Sequence, residues 1–385
     1  MEKDRKLIMN NKIRPVKVRT WLEIERGAME NNYNVFRSVT KPETKLMAIV
    51  KSNAYGNELV GFSRVVDQFG ADAFGVDSIT EGLALREAGI TKPILVLGFT
   101  IPENVPIAYE KNISITLSSF DALHYLIKEQ TPIKVHVKID SGMHRQGFYP
   151  HEMGKLAGML IKARHITVEG MYTHFANAKN PKYSKDTDAQ AKNFEKAVAV
   201  FKKNGFSFLK HASATSGTIL FPQYHYDMVR VGIGLHGLWP SKEVKKASES
   251  YVKLSPILTW KTVVSEVKTV KKGEGIGYDF TEVLKRNTQV VICPIGYWHG
   301  YPRVLSSSGH VLIHGKRARV LGRVAMDMIV VDVTGIKDVK MGDEVVLIGR
   351  SGNEEVTADE FAALCKTSNY EVMTRINPKI QRVFI

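Results

Sequence analysis

The sequence predicts an α/β protein, an N-terminal (β/α)8 TIM-like barrel followed by a C-terminal β-rich domain. Three observations carry this. Between about residue 45 and residue 237, eight short apolar runs alternate with amphipathic stretches. The runs are apolar throughout, as parallel strands covered on both faces are. After about residue 240 the alternation stops, and runs separated by Gly-rich turns follow with few helical patterns between them.

In chain order the expected barrel strands are Lys45–Lys51, Ala73–Asp77, Ile94–Leu97, Ile113–Leu117, Lys134–Asp140, Ile166–His174, Leu209–Ala214 and Met228–Leu235. Helices are expected over Thr80–Ala88, Ser119–Lys128 and Glu152–Ala163. Another starts at Thr187, where Gln190 three residues on suggests a capping box. Phe194, Ala197, Val198 and Phe201 fall on one face of it, and Gly205 is a natural stop. Eight strand–helix repeats favour a closed barrel. An open doubly wound sheet is the alternative, disfavoured by the count and by the lack of a Gly-rich dinucleotide turn. In the second domain, strands are expected over Val263–Val270, Gln289–Pro294, His310–Ile313, Arg317–Val324, Met328–Val333 and Asp343–Ile348. A helix follows over Thr357–Cys365, with Thr357 and Glu360 spaced as a capping box. Pro240–Lys253, rich in Ser, Lys and Glu, reads as the linker. The expected organisation is a basic tail at 1–20, a barrel at 21–245 and a β domain at 246–385.

Composition narrows the function. The chain has 385 residues, 44% hydrophobic and 24% charged, which excludes disorder or a fibrous repeat as the main state. Two cysteines, Cys293 and Cys365, exclude a disulfide scaffold or Cys-rich zinc module, and no metal site is expected. No apolar run reaches membrane-spanning length. The net charge is +15, and a third of it lies in the first twenty residues. The remaining charge is dispersed, not a basic stripe with interleaved aromatics, so nucleic acid is not an expected partner. The N-terminal stretch lacks a signal peptide's apolar core, so a cytoplasmic protein is expected.

In a barrel, chemistry sits at the carboxyl ends of the strands. Lys51 closes the first run. A lysine partly desolvated there has a lowered pKa and a neutral amine to offer, although a strand-end lysine also simply reaches for water. The polar turn Ser52-Asn53-Ala54-Tyr55-Gly56-Asn57 follows it. Arg145 lies in Lys138–Gly147, where two glycines admit a ligand to the backbone. Alone, Arg145 is as readily a solvated loop cation, and Lys138 as readily an ion-pair partner. His174 ends the sixth run, where a structural role competes with a catalytic one. Arg230 lies inside the eighth, where a charge is costly unless paired. Gly232 and Gly234 follow it and Ser213 and Ser216 follow the seventh run, where barrel phosphate sites commonly lie.

Taken together, these residues resemble the bacterial alanine racemases, over almost the whole length from Thr20-Trp21-Leu22-Glu23-Ile24 onward. The most specific match is Val50-Lys51-Ser52-Asn53-Ala54-Tyr55-Gly56, similar to the family's cofactor-lysine signature. Further matches are Lys138–Gly147, His174-Phe175-Ala176, Arg230-Val231-Gly232-Ile233 and Gly277-Tyr278. The β domain adds Pro294-Ile295-Gly296-Tyr297, Gly300-Tyr301-Pro302-Arg303, Gly322–Asp327 and Asn369-Tyr370-Glu371.

The resemblance implies a pyridoxal 5′-phosphate (PLP) enzyme that interconverts L- and D-alanine, supplying D-alanine for peptidoglycan. Lys51 forms the Schiff base, Arg230 faces the pyridine nitrogen, and His174 packs near the ring and links Arg230 to a tyrosine. Arg145 contacts the cofactor phenolate and the substrate carboxylate. Tyr55, Ser213, Gly232, Ile233 and Tyr370 hold the phosphate. Tyr278 is the second base and comes with Met326 from the partner subunit of a homodimer. Tyr297, Arg303 and Arg323 line the corridor into the site, and Lys138 matches a lysine that some members carry as a carbamate. Two bases on opposite faces of Cα perform racemisation directly. A free tyrosine has a pKa of about 10, so Tyr278 needs electrostatic help, which the chain through His174 to Arg230 would give.

The sequence departs from the family pattern at several places. Asn57 stands where a histidine is common, His144 for a glycine, Ala212 for an asparagine, His236 for a tyrosine, His299 for an aspartate and Lys179 for an acidic residue. None removes Lys51 or Tyr278. A serine or broad-specificity racemase of the same fold is the nearest alternative, and a PLP-binding protein without turnover is the alternative from another class.

Overall fold

The structure is a computed structural model and describes residues 17–385. Most of the expected basic tail therefore lies outside the described residues.

Eight parallel strands close on themselves. They are Lys45–Ile49, Ala73–Val76, Ile94–Val96, Ile113–Leu117, Ile133–Lys138, Ile166–Tyr172, Leu209–Ala214 and Met228–Val231, the last pairing back onto the first. This is the expected barrel. Some expected runs overshoot the ladder at their carboxyl ends. Lys51 opens a short helical turn instead of ending a strand, and Ile233–His236 is a 3-10 turn. Hydropathy cannot mark where pairing stops, because Val50, Ile233 and Leu235 stay buried after the backbone has left the sheet. The overshooting residues form the mouth of the barrel.

Surrounding helices begin where polar caps satisfy free amides. Ser78 and Ser119 each accept a bond from the third residue of Ile79–Glu87 and Phe120–Glu129. The long helix departs from expectation. It spans Ser184–Lys203, so Thr187 is a buried interior residue and caps nothing. Gln190 reaches instead to the loop after the sixth strand, accepting from the Ala176 amide at 2.8 Å. The face of Phe194, Ala197, Val198 and Phe201 is buried as expected. The segment expected as a linker contains a helix, Lys242–Ser248, capped by Ser241. Its Ser/Lys/Glu composition describes a solvated helix face as well as it describes a loop.

The chain divides into two compact units. One comprises Glu23–Leu258, Lys366–Pro378 and Phe384–Ile385 and contains the barrel. The other comprises the described residues up to Leu22, Thr259–Cys365 and Lys379–Val383. The helix Asn369–Arg375, not expected from the sequence, carries Tyr370 in the barrel unit.

The second unit is β-rich. Its sheet runs in the order Glu266–Val270, Thr288–Cys293, Ile329–Asp332, Lys316–Leu321, His310–Ile313, Glu344–Ser351, Leu258–Val263, Thr20–Ile24, Gln381–Phe384. The single strand expected over 263–270 is two strands with different partners, Glu344–Ser351 for one and Thr288–Cys293 for the other. Trp260, Tyr301 and Phe361 are fully buried and pack as rings 5.5–6.3 Å apart. Burying one such aromatic contributes about 1.5–3 kcal/mol. Thr357 caps Ala358–Leu364 as expected, but the Glu360 carboxylate goes to Arg317 and does not complete a capping box.

Candidate active site

The carboxyl ends of the barrel strands surround a cavity of about 630 Å³. Its polar lining is strongly basic, with Lys51, Lys138, Arg145, Lys179 and Arg230 against one carboxylate, Asp77. Lys51 is partly exposed, with Nζ 3.8 Å from Asp77 Oδ1.

Beyond Lys51 the backbone does something uncommon. Ser52, Asn53, Ala54 and Tyr55 all have φ between 50° and 56°, a left-handed turn made without glycine. Such a conformation costs roughly 1–2 kcal/mol per residue, and strain of this kind gathers at functional sites. Neighbouring groups hold it. One oxygen of Glu81 accepts the Asn53 amide at 3.0 Å, and the other accepts the Asp77 amide at 2.8 Å. Asn53 Oδ1 accepts the Leu59 amide at 2.9 Å. The turn delivers the Tyr55 phenol to the cavity beside Tyr370, ring centroids 6.2 Å apart. Burial raises Tyr55 to about 12 and raises Tyr370 further, so both remain neutral hydrogen-bond donors. Gly232 borders the same corner. A Cβ there would fall on the Tyr55 hydroxyl, so only glycine leaves the space. Thr215 Oγ1 accepts the amides of Gly232 and Gly234 at 3.3 and 3.4 Å.

Arg230 is buried on the last strand and its charge is met by polar groups. Nη1 donates to His211 Nδ1 at 2.9 Å. Nη2 donates to the Thr173 and Ala212 carbonyls at 2.8 Å and to His174 Nδ1 at 3.3 Å. Burial lowers the guanidinium to about 10, which leaves it protonated at neutral pH. Nε makes no hydrogen bond among the described residues, and Arg230 lines the cavity. His174 is held neutral, well below its ordinary value, by burial and then by the charges of Arg230, Lys138, Arg145 and Lys51.

Lys138 is also buried, with Nζ 4.2 Å from the Tyr172 ring centroid. Burial, then Arg230 and Arg145, push its amine well below the usual lysine range, against the pull of Asp140. Asp140 organises the loop that carries Arg145: one oxygen accepts the amides of Gly142, Met143 and His144 at 3.0 Å each. Burial works against that carboxylate, but the three amides hold its pKa below the ordinary value.

The structure thus gathers Lys51, Tyr55, Arg145, His174, Arg230, Gly232, Ile233, Tyr370 and Lys138 around one cavity. Ser213 is a correction. It is fully buried, does not line the cavity, and donates to the Tyr224 carbonyl at 2.8 Å. Thr215 and Ser216 take its place. A signal was available, since the strand ends at Ala214 and Thr215 is the first residue past it. Glu81 and His211 were also missed; neither belongs to a recognisable motif, because their roles come from backbone amides and buried partners distant in sequence.

Tyr278, Tyr297, Arg303, Arg323 and Met326 belong to the β-rich unit. Most of these cluster. The amide of Tyr297 donates to the Ala325 carbonyl and that of Trp298 to the Met326 carbonyl, both at 3.0 Å. Arg323 pairs with Asp279, next to Tyr278, at 2.8 Å. Tyr278 is 68% exposed.

A closed (β/α)8 barrel with a lysine and a buried arginine lining the cavity at its strand ends, together with a β-rich unit, defines a two-part class of barrel proteins. Comparison with known proteins names the family within it. The family pattern "Alanine racemase, N-terminal domain" matches residues 24–240, and "Alanine racemase, C-terminal domain" matches residues 257–384. The alanine racemase of Symbiobacterium thermophilum is 39% identical over 95% of this chain and 97% of that protein. That of Leptospira interrogans is 37% identical over 95% and 96%. Among solved structures, Bacillus anthracis alanine racemase with bound L-Ala-P superposes with a TM-score of 0.91 at 34% identity, covering 96% of each chain. The alanine racemase from E. faecalis gives 0.88 at 31%, covering 95% and 98%. The chain belongs to the alanine racemase family and is a racemase enzyme.

Proposed function

We propose that the protein interconverts L- and D-alanine with PLP bound at the barrel mouth, working as a homodimer. The observation that carries the reading is Arg230, whose two terminal nitrogens both hydrogen-bond to protein groups while Nε has no partner among the described residues, in a residue lining the cavity. A single N–H held in this way suits a ring nitrogen acceptor. The other donors fit the same group. Two neutral phenols and the corner kept open by Gly232 suit a phosphate, with Thr215 and Ile233 beside them. Arg145 suits the ring oxygen and the substrate carboxylate, and Lys51 the aldehyde carbon.

When bound, PLP supplies an electron sink that acidifies the α-hydrogen of the amino acid. The chain's own residues manage the proton. Lys51 Nζ takes or returns it on one face of Cα, and the phenol oxygen of Tyr278 of the partner subunit does so on the other. Arg230 keeps its own proton at neutral pH, so it orients the ring nitrogen without handing over a proton, which makes for a weaker sink and fewer side reactions. Neutral His174 ties Arg230 into the same polar layer. Lys138, whose amine burial and then Arg230 and Arg145 push well below the usual lysine range, suits conversion to a carbamate that would pair with Arg145.

Partner contribution is supported by surface chemistry. Tyr278, Phe280, Val283, Met326 and Met328 are all more than half exposed, apolar surface that suits burial against a partner. A cytoplasmic enzyme supplying D-alanine for peptidoglycan is the matching physiological role. No helix among the described residues is long and apolar enough to cross a membrane.

The test is direct. Purified protein incubated with PLP should turn yellow, and borohydride should fix the cofactor on the peptide carrying Lys51. A chiral assay should then show racemisation of L-alanine ahead of L-serine and L-lysine. Protein that stays colourless, or labels elsewhere, removes the cofactor assignment; faster turnover of serine or lysine removes the substrate assignment.

A further inference from the structure

The polar chain that holds Arg230 continues away from the mouth. His211 Nε2 lies 2.9 Å from Nδ1 of His136, and both rings are buried in the barrel interior. Proton positions along this chain follow by elimination. A guanidinium only donates, so His211 Nδ1, 2.9 Å from Arg230 Nη1, is bare and accepts. Burial and then the Arg230 charge keep His211 neutral. Its one proton is therefore on Nε2, pointing at His136. His136 Nδ1 must be bare in turn, and its own proton is on Nε2. One fixed cation sets two tautomers in series.

The far end of the chain is a built feature. On the neighbouring strand Gly170 stands level with His136, and a Cβ there would fall on the imidazole. His211 stacks on Tyr172 with an interplanar angle of 5°. His136 Nε2 has no hydrogen-bond partner among the described residues. His136 borders a second cavity, of about 280 Å³, at the amino ends of the strands, lined also by Lys45, Asp72 and Glu169.

We propose that His136 is a positioning residue for the reaction: by offering a bare Nδ1 it holds His211 in the Nε2–H tautomer and so fixes the Arg230 guanidinium from the opposite end of the barrel. Without that acceptor, His211 either keeps a buried N–H with no partner or shifts its proton to Nδ1, against the N–H of Arg230. Either outcome leaves a buried donor unsatisfied and loosens Arg230. At neutral pH the acceptor persists, because burial, against the pull of Glu169 and with a smaller push from Arg230, lowers His136 to about 4. The inference rests on Arg230 facing the cofactor nitrogen, but its first readout does not.

That readout is ¹⁵N NMR of histidine-labelled full-length protein, free and PLP-loaded, at neutral pH. His211 should show the Nε2–H tautomer in the native protein. His136→Asn places a carbonyl oxygen near the position of Nδ1 and should preserve this signal, whereas His136→Leu should shift or mix it. In the loaded enzyme His136→Leu should lower kcat for alanine about tenfold with little change in KM, and His136→Asn should recover most of it. A native His211 protonated on Nδ1 overturns the proposal, as does a His136→Leu protein with unchanged His211 signal and kcat. So does His136→Asn falling as far as His136→Leu. If the native enzyme shows the expected tautomer but no racemisation, the proposed function fails and the tautomer chain stands.

Discussion

A lysine two residues past a buried strand meets a neighbourhood of cations, and its usefulness depends on what balances them. Around Lys51 the only cavity carboxylate among the described residues is Asp77, so the site is tuned to anionic guests. Lys51 and Arg145 were legible in the sequence because each lies at or just past the end of an apolar run, where barrel enzymes keep their chemistry, and Arg230 because a charge inside such a run is costly unless paired. Ser213 was misread because one position along a strand decides which way a side chain points; its hydroxyl faces the Tyr224 carbonyl. The prediction at this scale concerns Tyr278. Tyr278→Phe should lower kcat by about 10²–10⁴ while PLP content and KM for alanine change little, read by steady-state kinetics in both directions and by cofactor absorbance. Near-normal turnover would end its assignment as a base.

Among the elements, the left-handed turn Ser52–Tyr55 shows how strain is kept in place. Propensity could not reveal it, since none of its four residues is glycine. Glu81 holds it from the next strand–helix unit, one carboxylate oxygen accepting the Asn53 amide of the turn and the other the Asp77 amide of its own unit. Glu81→Gln offers an acceptor to only one of them and sets an NH2 against the other. It should cost about 1–3 kcal/mol of stability and weaken PLP binding, measured by urea unfolding and by cofactor titration. Unchanged PLP affinity would mean the turn holds itself. Helix starts were more legible. Thr357 was read as a cap and is one, while Ser78 and Ser119 cap helices whose expected ranges, Thr80–Ala88 and Ser119–Lys128, named no cap. Thr357→Ala should therefore lower stability by about 1 kcal/mol in the same assay, and a change near zero would contradict the cap. The helix at Ser184 began three residues before its expected start because burial of Thr187 overrode the capping pattern.

For the molecule as a whole, two measurements test the assembly and its pH response. Lys51→Ala and Tyr278→Phe protein, each inactive, should regain activity when mixed under conditions of proven subunit exchange, because one site of a mixed dimer holds both native residues. No recovery would count against shared sites. The pH response follows from buried histidines. His136 is lowered to about 4 and His236, beside Asn57, to about 3, both by burial first. The unfolded chain takes up these protons near pH 6.5, before the native protein does, so stability falls as pH drops below that value and levels off below the native pKa values. For His136 alone the loss is of order 3 kcal/mol. Urea midpoints at pH 7, 5.5 and 4.5 should decline in that order. A midpoint flat from pH 7 to 5.5 would show that these histidines are not neutral in the native state.

The sequence by itself determined the barrel, the β-rich second part, the lysine at the mouth and the family, because apolar periodicity, turn chemistry and contiguous motifs are local properties of the chain. Only the tertiary structure decided which hydroxyl lines the cavity, what holds the turn after Lys51, and that Arg230 rests on two histidines in line. Those depend on contacts between residues far apart in sequence, such as the 75 positions between His136 and His211, and on a low-dielectric interior where an imidazole's proton position is fixed by what stands opposite it.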